Sequence, residues 1–202
     1  MNQSPRKAVL DTSLFVNPDV RFSLGATPTE ALANFLVLAA QAQAIEFYMP
    51  PSTFQELLNF VNENHLSGEL LVHLRQRPPK RFEIPVPGYL LYELVEEWRD
   101  RVNKGLRIAE TGVRGTEKRK IDEIIQDMRK KYREALREGI IDSKEDVDLL
   151  LLARELDALL ITADQGLIKW AEKLGIEWLL PEKFRDFVMA TIEPPSSPEI
   201  EL

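Results

Sequence analysis

The sequence predicts an α/β fold, a parallel sheet flanked by helices and interrupted by an inserted two-helix basic hairpin. Three observations carry this. Four short apolar runs, AVL at 8–10, IEFYM at 45–49, ALLIT at 158–162 and IEWLL at 176–180, have the length and character of buried strands. Segments of helical period separate them, and strands alternating with helices of this size indicate a doubly wound sheet. Residues 88–139 then break the alternation with two long amphipathic stretches.

The first run ends at Asp11, followed by the hydroxyls of Thr12 and Ser13. Taken alone, Asp11 reads either as a helix cap or as a ligand at the end of a strand. TPTEALANFLVLAAQAQA begins with Thr27, Pro28 and Glu30, a capping box with proline at the first helical position. STFQELLNFV repeats the device with Ser52 and Gln55. Leu91, Leu94, Trp98 and Val102 recur at helical spacing, as do Ile121, Ile125, Met128, Tyr132 and Leu136. They predict two helices packed along a coiled-coil-like seam, with GLRIAETGVRGTEK as the hairpin tip. DSKEDVDLLLLARELD and DQGLIKWAEKLG give two later helices, the second ending at Gly175. The expected organisation is a discontinuous domain, 1–87 with 140–192, the hairpin 88–139, and a disordered Pro- and Ser-rich tail, 193–202.

Composition narrows the chemistry. A chain of 202 residues without cysteine excludes disulfides, thiolate catalysis and cysteine-based zinc sites, and its two histidines, His65 and His73, have no metal-ligand spacing. Any metal is therefore held by oxygen, which points to Mg²⁺ or Mn²⁺. No apolar stretch reaches the roughly 20 residues of a membrane span. MNQSPRK leads straight into a strand, so no signal peptide is expected and the protein reads as cytoplasmic. Net charge is −7, yet residues 98–137 hold 13 Lys/Arg against 7 Asp/Glu. A basic segment set in an acidic body is an electrostatic footprint of nucleic-acid binding, or a solvated helix face.

Four acids fall where strand meets helix: Asp11, Asp142, Asp146 and Asp164. In an open parallel sheet, ligands bind beyond the carboxyl ends of the strands where the strand order reverses. Asp11 and Asp164 are candidates for one crevice, with Asp142 and Asp146 at its rim. Each has an ordinary alternative, an N-cap or a favourable first-turn charge. Their joint occurrence is harder to dismiss, because the helix after Asp146 is nearly all apolar. A buried carboxylate costs several kcal/mol unless paired or metal-bound. Only Lys144 and Arg154 are close in sequence, so a divalent cation would relieve the repulsion. Asp148 is a fifth candidate, although two residues place it about 200° around the helix from Asp146. Carboxylate-held cations activate water and stabilise the oxygens at a phosphorus, with no nucleophilic side chain required.

VLDTSLFVNPDV together with DSKEDVDLLLLARELDALLITADQGL resembles the PIN-domain nucleases. More narrowly, the chain resembles the small RNA-free (protein-only) ribonuclease P of bacteria and archaea, over nearly its whole length. The resemblance implies a PIN-like sheet and a metal-dependent endoribonuclease that removes the 5′ leader of precursor tRNA and leaves a 5′-phosphate. Asp11, Asp142, Asp146 and Asp164 match the family's catalytic acids, with Thr12 and Ser13 holding Asp11 in place. Glu56 occupies the place of an acid that many PIN domains use. The insertion would be a spike that pairs with a neighbour in a homo-oligomer and grips tRNA. Arg129, Lys130, Arg133 and Arg137 supply a basic stripe suited to an RNA backbone. No protein antitoxin is expected. The alternatives are a toxin-type or RNA-maturation PIN endoribonuclease, or a non-catalytic oligomeric RNA-binding module whose aspartates are caps. A phosphoaspartyl enzyme is disfavoured, since no second Asp follows Asp11 two residues on.

Overall fold

A computed structural model describes residues 5–62, 65–85, 87–114, 120–137 and 143–192. Two compact units emerge, Met1–Ile84 with Ser143–Leu202, and Pro85–Asp142.

In the first unit, strand β1 (Arg6–Leu10) leads into two single-turn helices, α1 (Ser13–Val16) and α2 (Pro18–Arg21), and then α3 (Pro28–Gln41). The capping box opens α3 as expected: the Thr27 hydroxyl accepts from the Glu30 amide at 3.2 Å, and Glu30 reaches back to the Thr27 amide. Strand β2 (Ile45–Met49) is followed by α4 (Pro51–Leu58), the short α5 (Gly68–Leu71) and β3 (Leu74–Gln76). The second expected capping box does not form. Pro50 takes the N-cap position of α4, and Ser52 lies inside the helix with its hydroxyl turned to another partner.

The second unit holds α6 (Tyr89–Arg114) and α7 (Ile121–Arg137). The three-glycine segment expected as the tip is instead largely helical, because α6 runs on through Gly105 and Gly112 to Arg114. These glycines make room for the partner helix. A Cβ on Gly105 would lie 2.3 Å from the Tyr132 ring, and one on Gly112 would lie 2.3 Å from Met128 Sδ. The seam therefore uses Gly105, Gly112, Ile124, Met128 and Tyr132. Leu91, Trp98 and Val102, expected in it, face solvent on α6.

The chain returns to the first unit with α8 (Lys144–Leu156), β4 (Leu159–Ile161), α9 (Gln165–Leu174), β5 (Trp178–Leu179) and α10 (Pro181–Ile192). Gly175 ends α9 at φ 67°, the left-handed conformation glycine favours. The five strands are parallel in the order β3-β2-β1-β4-β5. Beyond the four expected strands, β3 has only three residues and one buried side chain, too little for a period to show. Helix α10 is likewise additional to the expected elements.

Side chains alternate across the sheet. Ala8, Leu10, Phe47 and Ile161 enter a core with Phe15, Phe35 and Phe184, whose rings meet the Phe35 and Phe47 rings at centroid distances of 5.1–6.0 Å. Helix α8 packs against β1 and buries Leu149, Leu150, Leu152 and Ala153. Order reverses between β1 and β4, since the chain winds from β1 toward β3 and then from β4 toward β5. That switch point is where an open parallel sheet leaves a crevice. Among the described residues no helix is long and apolar enough to cross a membrane. The expected tail, 193–202, lies outside the described residues.

Candidate active site

Asp11 leaves the end of β1 at the switch point and is only 6% exposed. Its amide donates to the Ile161 carbonyl at 3.1 Å, which carries the β1–β4 pairing one residue further. Three hydroxyls hold its carboxylate. Ser13 Oγ donates to Oδ2 at 2.6 Å, Thr162 Oγ1 to Oδ2 at 2.7 Å, and Thr12 Oγ1 to Oδ1 at 3.2 Å. Such donors fix the carboxylate's orientation without neutralising its charge.

The same hydroxyls tie β1 to the end of β4. Ser13 Oγ accepts from the Ala163 amide at 3.1 Å, and Thr162 Oγ1 accepts from the Asp164 amide at 3.0 Å. Asp164 thus sits one hydroxyl away from Asp11. It also caps α9, its Oδ1 accepting from the Leu167 amide at 2.8 Å. The cap engages Oδ1 and leaves Oδ2 for a ligand, so the two readings of Asp164 are compatible. Sequence reasoning misses Thr162; the available signal is a threonine inside an apolar strand two residues before an acid.

Asp146 lies in the first turn of α8, half-buried, with its amide donating to the N-cap hydroxyl of Ser143 at 3.0 Å. Ser143, not Asp142, caps this helix, and Asp142 lies outside the described residues. Glu56 on α4 joins the site electrostatically. Its carboxyl is raised above the ordinary value, first by partial burial, then by the charges of Asp11 and Glu145, while a hydrogen bond with Thr12 acts in the opposite sense. Glu145, beside Asp146 in the first turn of α8, is a further acid that sequence reasoning does not single out.

The expectation for Asp148 is corrected. Its side chain is 2% exposed, and its cation is Arg81, 67 residues upstream. Arg81 Nε donates to Oδ1 at 2.7 Å and Nη2 to Oδ2 at 2.6 Å, while Ser52 Oγ donates to Oδ2 at 2.7 Å. This bidentate pair already satisfies the carboxylate.

A family model described as "PINc domain ribonuclease" matches residues 7–193. A protein named RNA-free ribonuclease P from Thermodesulfovibrio yellowstonii is 54% identical over 187 residues, covering 93% of this chain and 95% of the relative. Its namesake from Pyrococcus horikoshii is 47% identical, covering 93% of each chain. That from Halorhodospira halophila is 45% identical, covering 89% of this chain and 88% of its own. The chain belongs to the RNA-free ribonuclease P family of PIN-domain ribonucleases.

In this PIN-domain ribonuclease the donor set at the switch point is wholly oxygen, the chemistry a hard divalent cation takes. The carboxyl of Glu56 is raised first by partial burial and then by the charges of Asp11 and Glu145, and a cation would offset that second contribution. Among the described residues no three acidic side chains meet at one ligating point. In the second unit, Arg129, Lys130 and Arg133 are exposed on α7. Arg137 ends that helix, and its side chain lies outside the described residues.

Proposed function

We infer that the chain is a metal-dependent endoribonuclease that removes the 5′ leader of precursor tRNA. The observation that carries this is the buried, triply hydrogen-bonded Asp11 at the β1/β4 switch point, in a chain that matches proteins named RNA-free ribonuclease P over nine-tenths of its length. Asp11, Asp142, Asp146 and Asp164 are the proposed ligands of Mg²⁺ or Mn²⁺, with Glu56 and Glu145 at the rim. When bound, the cation lowers the pKa of water and neutralises charge at the phosphorus. Thr12, Ser13 and Thr162 keep the Asp11 oxygens oriented before substrate arrives, so no reorganisation is needed at reaction. Hydrolysis breaks the bond from phosphorus to the 3′ oxygen of the leader. The leader departs with a 3′-hydroxyl and the mature end keeps a 5′-phosphate.

Arg129, Lys130, Arg133 and Arg137 are proposed to hold the RNA backbone. The exposed Trp98 and Val102 support self-association through α6, a proposed homo-oligomer in the cytoplasm. Cleavage of a precursor tRNA with the 5′ end mapped tests the activity. Wild type with Mg²⁺ is expected to release the leader. Asp146→Asn, or wild type with EDTA, is expected to lose at least about a thousandfold in rate. Cleavage unaffected by both would overturn the assignment.

A further inference from the structure

Helix α4 depends on its neighbours for its place. It has eight residues and opens on Pro50 without a side-chain cap, so it is too short to hold itself in water. Phe54 and Leu57 seat it in the core. These apolar anchors set its depth, and a polar tie joins it to α8. That tie is Ser52 Oγ donating to Asp148 Oδ2 at 2.7 Å, across 96 residues of chain.

The tie lies beside an opposing force. Ser52 and Glu56 are four residues apart on one face of α4, and Glu145 and Asp148 are three apart on one face of α8. The two helices pack together. Ser52 attracts Asp148, whereas the charges of Asp11 and Glu145 both act against that of Glu56. Asp148 can serve as the tie because its own charge is already answered. Arg81, from the loop 77–85 that follows β3, donates Nε to Oδ1 at 2.7 Å and Nη2 to Oδ2 at 2.6 Å. Arg81 thus neutralises the carboxylate, and Ser52 supplies the connection to α4.

We propose that Ser52 is a positioning residue, whose hydrogen bond to Asp148 clamps α4 on α8 and holds Glu56 at the acid edge where the divalent cation binds. This rests on the reading of that edge as the metal site of a nuclease. Without the clamp, Glu56 swings away from Asp11 and Glu145 in the metal-free protein, and the cation must first draw the carboxylates together. The loss therefore falls on metal affinity, and excess cation offsets it.

The test measures Mn²⁺ binding to the full chain without RNA, by electron paramagnetic resonance of the free ion, for wild type, Ser52→Ala, Ser52→Thr and Glu155→Gln. Cleavage of precursor tRNA across a Mg²⁺ series runs beside it. Ser52→Ala is expected to raise the Mn²⁺ Kd about tenfold and to raise the half-saturating Mg²⁺ concentration by a similar factor. Cleavage at saturating Mg²⁺ should approach wild type, and Ser52→Thr, which keeps the hydroxyl, should restore both constants. Glu155 receives the Arg77 guanidinium and, at 2.8 Å, the Lys80 amide, so it ties the loop to α8 without touching α4. Glu155→Gln should lower the melting temperature and leave the Mn²⁺ Kd unmoved. An unchanged Kd in Ser52→Ala, beside a wild type that binds Mn²⁺, would overturn the proposal and leave the nuclease reading intact. Unfolding of Ser52→Ala, or equal weakening in Glu155→Gln, would also overturn it, since the hydroxyl would then serve general stability. A wild type that binds Mn²⁺ with the expected dependence on Ser52 but leaves precursor tRNA uncut upholds the clamp and sinks the ribonuclease P reading alone. A wild type that binds no Mn²⁺ overturns the clamp and the metal assignment together.

Discussion

Asp148 illustrates how one carboxylate two residues from a proposed ligand is kept for structure. Burial alone would raise its carboxyl. Hydrogen bonds from Arg81 and Ser52, then the charges of Arg81 and Lys144, outweigh burial and hold it below the ordinary value of 3.8. The folded-state value is therefore the lower one. Its stabilising contribution is present above the ordinary carboxylate range and is lost as pH falls through the folded value. Asp148→Ala is expected to cost about 2–3 kcal/mol at pH 7, less than for a fully buried pair because Arg81 retains access to water. Denaturant unfolding should show that difference shrinking below about pH 4, where the carboxylate of the unfolded chain takes up its proton while the folded one still resists it. A difference that held constant down to pH 3 would contradict the ion-pair account. Asp11, by contrast, has hydroxyl partners in place of a cation.

At the scale of elements, the proposed function assigns chemistry to α8 and grip to α7. Helix α8 offers Glu145 and Asp146 in its first turn and anchors the 77–85 loop through Asp148 and Glu155, so one helix links the acid edge to the loop rim. Helix α7 presents Arg129 and Arg133 one turn apart on its exposed surface, the residues proposed to meet phosphates. Arg129→Glu/Arg133→Glu should weaken precursor tRNA binding and lower the slope of log affinity against log salt by about two, one for each phosphate no longer neutralised. Cleavage at saturating substrate should persist. Filter binding across a salt series checks this, and unchanged affinity would assign the stripe to a solvated face.

For the whole molecule, α6 leaves apolar side chains in water that a single chain does not cover. Trp98 and Val102 are 60% and 61% exposed and lie four residues apart on one helix face. Trp98→Asp/Val102→Asp should lower the mass measured by light scattering, with helical circular dichroism retained, if this face joins subunits. An unchanged mass would place any subunit contact elsewhere. Both substitutions avoid the α6–α7 seam, where Gly105 and Gly112 receive Tyr132 and Met128.

Much of this is written in local pattern. Apolar runs at strand length, the Thr27 capping box, the Gly175 stop and the acids at strand ends all depend on residues near in sequence, and near neighbours set helix and strand preference. The four-strand expectation misses β3, where Leu74–Gln76 is too short to show a period. It also misplaces the hairpin seam, because a glycine's value in a helix depends on the side chain that packs over it. Ser52 reads as a cap in the sequence and is a donor to Asp148 in the fold. Arg81, 67 residues from that carboxylate, can be matched to it only by folding. The sequence by itself determined the α/β class, the acids and the basic insertion, since periodicity and charge are properties of the chain. The tertiary structure decided which acid is paired and which hydroxyls orient Asp11. It also set which ring stands in solvent, because burial and distance exist only once strands 150 residues apart are brought side by side.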